Sequence, residues 1–271
     1  MRSISRVADV SINTVSKLLV AAGTACAAHH DANVRGINAT RIQCDEIWAF
    51  CGSKEKNVAP ENKHTLGQGD VWTWTAIDAD SKLICGYLAG KRDAGYAHAF
   101  MLDLASRLNS RVQITTDGHK AYLQAVETAF GSGVDYAQLV KIYGAPIGQG
   151  SERRYSPADF VRADKTRISG NPDVDHISTS YVERQNLTMR MSMRRFTRLT
   201  NAFSKKLENH IHALALYFTV YNFVRIHKSL KTTPAMQAGI SSKLWSMTDV
   251  ANMIEENEPA PAKRGPYKKK M

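Results

Sequence analysis

Arg41-Ile42-Gln43-Cys44-Asp45-Glu46-Ile47-Trp48-Ala49-Phe50 is the stretch on which the fold turns. It alternates and is rich in strand formers, which predicts a β-strand with an acidic pair near its middle. Side chains alternate across a strand, so Asp45 and Glu46 are expected on opposite faces. Downstream, residues 53–69 form a charged excursion that reads as a loop. Asp70-Val-Trp-Thr-Trp-Thr-Ala-Ile77 is a second strand, Asp78-Ala-Asp-Ser81 a turn, and Lys82-Leu-Ile-Cys-Gly-Tyr-Leu88 the returning strand.

Helical spacing begins after the third strand. Tyr96, Phe100, Leu104 and Leu108 share one face of a helix over 93–108. Arg111-Val-Gln-Ile-Thr115 is a fourth strand, closed by Asp117-Gly118, and a helix over 119–130 leads to a fifth strand over 136–143. The run from 144 to 176 is rich in Gly, Pro, Asp and Arg and reads as a long loop. A basic amphipathic helix over 181–193 and a longer apolar one over 201–224 follow. Three antiparallel strands followed by strand–helix–strand crossovers make the ribonuclease H-like arrangement, an α/β mixed sheet flanked by helices.

Before the first strand, residues 3–23 read as two short helices about the turn Val10-Ser11-Ile12-Asn13, a helix-turn-helix in which Ser11, Asn13, Thr14 and Lys17 would face DNA. A plain helical hairpin fits the same spacing, and such modules usually have a third, upstream helix. The expected division is a DNA-binding segment over 1–26, a polar linker over 27–39 and a catalytic domain with C-terminal helices over 40–236. Residues 237–271 form an extension ending in a basic tail. That tail has a disordered composition and suits either a solubilising end or a loose phosphate contact.

Charge narrows the partner. Lys and Arg number 36 against 25 Asp and Glu, a net charge of +11, and the pI is about 9.5. Such a surplus favours anionic partners: DNA, ribosomal RNA or an acidic membrane surface. No apolar run approaches the roughly 20 residues that span a bilayer, and the first ten residues lack a signal-peptide core. Cys26, Cys44, Cys51 and Cys85 form no CxxC pair and read as reduced thiols of a cytosolic protein.

Three carboxylates stand out. Phosphodiester transfer needs an activated oxygen nucleophile, a stabilised leaving oxygen and neutralised phosphate charge, and two Mg²⁺ ions held by a few Asp and Glu side chains can supply all three. Asp45 lies within the first strand and Asp117 ends the fourth, its neighbour in this topology. Glu183 opens the basic helix. Each has a plainer reading: Asp45 as an exposed strand residue, Asp117 as an Asp-Gly turn or cap, and Glu183 as a capping-box partner of Ser180. Glu152, Asp173 and Asp175 compete with Glu183 by proximity. Arg190 falls two turns after Glu183 on the same face, and Arg184, Arg194, Arg195 and Arg198 add positive charge without matching acids. His119 reads either as a phosphate contact or as a helix-start residue.

Taken together, Gln43–Trp48, Gly69–Asp78, Thr115–Lys120, Ser180–Asn186, Tyr221–His227 and Thr233-Pro-Ala235 resemble the DDE transposases of bacterial insertion sequences, and most closely the insertion-sequence-one family. The resemblance implies a catalytic and metal-binding triad of Asp45, Asp117 and Glu183. It also implies Mg²⁺ as cofactor with Mn²⁺ able to substitute, and cleavage and strand transfer of double-stranded DNA at element ends and target. A homo-oligomer on DNA and a cytoplasmic, nucleoid-associated location follow from the same resemblance. The rival readings are a related nuclease or resolvase of the same fold, and a noncatalytic DNA-binding protein derived from an inactive element.

Overall fold

The computed structural model describes residues 1–63, 65, 67–144, 158–197 and 200–257. Strands β1 (Arg41–Cys51), β2 (Gly69–Asp78) and β3 (Ile84–Gly90) form the antiparallel meander. The chain then crosses through α3 (Ala94–Arg107) to β4 (Val112–Thr116), which lies parallel to β1. Next, α4 (Ala121–Phe130) leads to β5 (Val134–Tyr143), parallel to β4. A further strand, β6 (Phe160–Ser169), returns antiparallel along β5, giving a six-stranded sheet in the order β3-β2-β1-β4-β5-β6. The first five strands have the ribonuclease H-like order, and the architecture is the mixed α/β one expected.

Alternation along β1 divides the core. Ile42 and Cys44 face α3 and α4, where Trp74, Phe100, Leu104, Ile114 and Tyr122 are buried with them. Ile47 and Ala49 face the other side, beneath α5 (Ser180–Ser192) and α6 (Leu207–Thr219), and pack with Val182, Met189, Leu214 and Phe218. Asp45 has the parity of this second face and Glu46 that of the first.

Two stretches differ from the sequence reading. The linker expected over 27–39 is largely helix: α2 runs unbroken over Ile12–Asn33, after the short α1 (Arg2–Val7). Its Ala-rich middle favours helix, and Gly23 does not stop it, because that position lies against His212 of α6. The polar residues of the stretch are structural. His30 is buried with Nε2 3.3 Å from the Ile84 carbonyl, and Arg107 donates to Asp31 at 2.9 Å and to the Val34 carbonyl at 3.1 Å. The second stretch is the long loop expected over 144–176, which contains β6. That strand is exposed along nearly its whole length, so it lacks the half-buried alternation that marks a strand in sequence.

Smaller differences lie at the C-terminal end. The helix expected over 201–224 starts at Leu207 and ends in a widened turn over Val220–Val224. α7 (Pro234–Gln237) lies just before the C-terminal extension, and the extension holds α8 (Met247–Asn257), whose Val250 and Met253 pack on Ala25 and Cys26 of α2. The basic tail beyond residue 257 lies outside the described residues. All four cysteines are buried free thiols. Among the described residues no helix is long and apolar enough to cross a membrane.

Candidate active site

The parallel pairing of β1 with β4 sets Gln43 opposite Thr115. Two residues further along each strand, at the C-terminal edge of β4, come Asp45 and Asp117. Carboxylate oxygens of Asp45, Asp117 and Glu46 all lie within 4.8 Å of one another. The third elected carboxylate arrives on α5, and β1 steers it there. The Gln43 side-chain oxygen accepts from the backbone N–H groups of Tyr181 (2.8 Å) and Val182 (3.2 Å), satisfying helix-start donors. Glu183 then lines, with Asp45, Asp117, Arg92, Lys141 and Thr179, one cleft of about 790 Å³.

Each carboxylate is oriented by neighbours. Asp45 accepts from the Glu46 N–H through Oδ1 and from Asn186 Nδ2 through Oδ2, both at 2.8 Å. Asp117 Oδ1 accepts from the His119 N–H at 2.9 Å, while Arg92 Nη2 lies 3.4 Å from its Oδ2. Arg92 Nε also donates to Glu46 Oε2 at 3.1 Å. Glu183 accepts from the Thr179 hydroxyl at 2.7 Å and from Lys141 Nζ at 2.6 and 2.5 Å. The capping box with Ser180 is absent. Thr179 is the N-cap of α5, and Glu183 is directed to Lys141 and the cleft.

Burial, reinforced by the charges of Glu46 and Asp117, raises Asp45 to about 7. Burial and Asp117 also push Glu46 up. Crowded like charges in a partly desolvated edge resist full ionisation. Such a set of hard oxygen donors fits a hard divalent cation, which would relieve that repulsion. His119 lines the cleft beside Trp74 and Tyr122, and burial together with Arg92 lowers its pKa.

The residues expected to contact DNA fall into separate groups. Asn13, Thr14 and Lys17 are exposed on the first turns of α2, where Ser11 caps the helix by accepting from the Thr14 N–H at 3.1 Å. Arg184, Arg190 and Arg194 are exposed on or just beyond α5. Arg195 differs from expectation: it is turned inward, donating to the Ser204 hydroxyl at 2.7 Å and the Asn209 carbonyl at 3.3 Å, so it ties the chain after α5 to α6. Arg198 and Glu152 lie outside the described residues. Asp173 and Asp175 sit ahead of α5, where Asp173 accepts from His176 at 2.7 Å, and neither lines the cleft.

Glu46, Arg92, Lys141 and Asn186 escaped the sequence reading. For Asn186 a signal existed, because it lies one helical turn after Glu183. For Glu46 alternation misled: although on the opposite face of β1, its carboxylate lies within 4.8 Å of those of Asp45 and Asp117 and is bound by Arg92. Arg92 and Lys141 carry no local signal, since only the sheet order brings them to Asp117 and Glu183.

Comparison with known proteins adds the following. The family model DDE_Tnp_IS240, a DDE domain, matches residues 65–159. That span includes Arg92, Asp117 and Lys141, and it ends before Glu183. No curated protein matches the chain. Among solved structures the chain is similar to one in the cryo-EM structure of a piggyBac transposase synaptic complex with hairpin DNA. The TM-score is 0.35 at 10% identity, over 83% of this chain and 55% of that one. The chain thus spans little more than half the length of that transposase. At the level of sequence, the segment supplying Asp117 is similar to the DDE domain of transposases.

Proposed function

We propose that the chain is a DDE transposase of a bacterial insertion sequence, a polynucleotidyl transferase that cuts element ends and joins them to target DNA. The observation that carries this reading is the convergence of Asp45, Asp117 and Glu183, from two strands and a helix, on one cleft. The DDE-domain match around Asp117 supports it. The motifs shared with the insertion-sequence-one family support that branch of the transposases.

Asp45, Asp117 and Glu183 would hold divalent cations, Mg²⁺ with Mn²⁺ as substitute, and Glu46, with a carboxylate oxygen within 4.8 Å of those of Asp45 and Asp117, would join them. Such ions, when bound, polarise the phosphodiester and favour the attacking oxygen. The chain's own residues do the positioning. Asn186 and the Glu46 N–H fix the two oxygens of Asp45, the His119 N–H orients Asp117, and Thr179 holds Glu183 toward the cleft. Arg184, Arg190 and Arg194, exposed on or just beyond α5, would offer positive charge to the DNA backbone. The start of α2, with Asn13, Thr14 and Lys17, would read the element ends, and a homo-oligomer would pair them in the bacterial cytoplasm at the nucleoid.

The test is strand transfer on a duplex carrying the inverted repeats that flank the gene, with Mg²⁺. Joined product is expected from the wild type. Asp45→Asn, Asp117→Asn and Glu183→Gln should each lower it by about three orders of magnitude, the scale of lost metal charge stabilisation, with metal-free duplex binding retained. Cutting of branched junctions without joined product would instead indicate a resolvase. Binding without any metal-dependent cutting would indicate a noncatalytic DNA-binding protein.

A further inference from the structure

The cleft's carboxylates are met by two of the chain's own cations. Arg92, two residues beyond β3, spans Glu46 Oε2 at 3.1 Å and Asp117 Oδ2 at 3.4 Å, with its guanidinium over the Trp72 ring at 4.9 Å. Lys141, in β5, meets both oxygens of Glu183. The Arg92 and Lys141 side chains are 34% and 30% exposed. Both are therefore held at the mouth of the cleft with a route to solvent.

These contacts lie on lone pairs that a divalent cation would need. A guanidinium bridging Glu46 and Asp117, or an ammonium on Glu183, competes with metal for the same oxygens. With both cations engaged on carboxylates, neither offers its charge to a DNA phosphate. Metal loading takes over the carboxylate oxygens and releases two cations suited to phosphate, one a planar fork and one a point charge.

We propose that Arg92 and Lys141 are internal counter-ions of the metal-free site, displaced from the carboxylates by the divalent cation and transferred to the DNA backbone. This rests on the reading of the cleft as a metal-dependent DNA site. It makes metal and DNA binding mutually reinforcing, since each ligand favours the same rearranged state. The Trp72 ring supports the Arg92 guanidinium at the rim, so the exchange needs only side-chain motion.

The experiment uses the full chain, Mn²⁺ and a duplex oligonucleotide. Mn²⁺ affinity is measured by calorimetry without DNA, and duplex affinity by fluorescence anisotropy with and without Mn²⁺. Arg92→Gln and Lys141→Gln should each bind Mn²⁺ roughly threefold to fivefold tighter than the wild type, the scale of a partly exposed ion pair. Both should lose most of the Mn²⁺-dependent gain in duplex affinity. Arg92→Lys, which keeps the charge, should restore much of the wild-type behaviour, and its thermal melt checks folding. Unchanged or weaker Mn²⁺ binding in both Gln variants, with Mn²⁺ binding by the wild type abolished in Asp45→Asn, overturns this proposal and leaves the metal site standing. A wild type that binds no Mn²⁺ overturns both.

Discussion

Asn186 shows how far single residues set this site. Its amide donates to Asp45 Oδ2 at 2.8 Å, fixing one oxygen while the Glu46 N–H fixes the other. A group that orients a metal-binding carboxylate typically matters 10- to 100-fold. If Asp45 holds metal as proposed, Asn186→Ala should weaken Mn²⁺ binding and strand transfer by roughly that factor while the far-ultraviolet circular dichroism stays unchanged. Asn186→Ala binding Mn²⁺ as the wild type does would remove it from the site. Away from the cleft, His210 is fully buried against Phe196, and burial, helped by the nearby Arg195 charge, lowers it to about 3. Above pH 6.5 the imidazole is neutral in both folded and unfolded chains and contributes nothing to pH dependence. Below 6.5 the unfolded chain takes up a proton that the folded chain refuses, so stability falls with pH. His210→Gln removes that liability. Its stability deficit relative to wild type, read from urea midpoints, should shrink by about 2 kcal/mol between pH 7 and pH 5. A constant deficit would show that the folded protein accommodates the imidazolium. At this scale Asp45, Asp117 and Glu183 were legible as residue types in the right order, whereas the inward turn of Arg195 was not. Its charge suggested DNA, and only the Ser204 and Asn209 acceptors reveal its packing role.

Among elements, the crossing of α2 with α6 is the clearest case of packing overruling a local signal. Glycine within a helix ordinarily costs about 1 kcal/mol relative to alanine, so Gly23 reads as a stop. A Cβ at position 23 would lie 2.3 Å from His212 Cβ and 2.4 Å from its Cα. Those are not the far end of a flexible side chain, so α6 itself would have to move. Overpacking of this kind costs about 1–3 kcal/mol and outweighs the propensity gain. Gly23→Ala should therefore lower the melting temperature, and Thr24→Ala, on the exposed side, should leave it nearly unchanged. A Gly23→Ala protein melting above the wild type would refute the close crossing. Strand β6 teaches the converse. Its pairing with β5 runs from Tyr143↔Phe160 to Tyr136↔Ser169, but it buries almost no side chain, so backbone hydrogen bonding leaves no pattern in the sequence.

For the whole molecule, the surplus of +11 is the property that the sequence states most directly, and on the proposed reading the salt dependence of DNA binding counts how much of it meets phosphate. Each phosphate contact releases condensed counterions, steepening the dependence on log salt by about 0.9 per contact. If Lys17 on the exposed start of α2 meets a phosphate, Lys17→Ala should reduce that slope by about 1 in anisotropy titrations on duplex DNA. An unchanged slope would place the α2 start off the DNA. The meander, the two crossovers and the strand and helix positions of the three carboxylates were all readable from periodicity. Each depends on repeats of two or about four residues within one element. The neighbourhood of Asp45 and Asp117 followed from the strand order read in the sequence, but how closely they approach, the recruitment of Glu46 against its strand parity, and the placing of Arg92 on Asp117 and Lys141 on Glu183 belong to the tertiary structure. Charges from five separate elements interact across a sheet edge only once strand order and register are set. No pattern within a single element encodes how close those charges come.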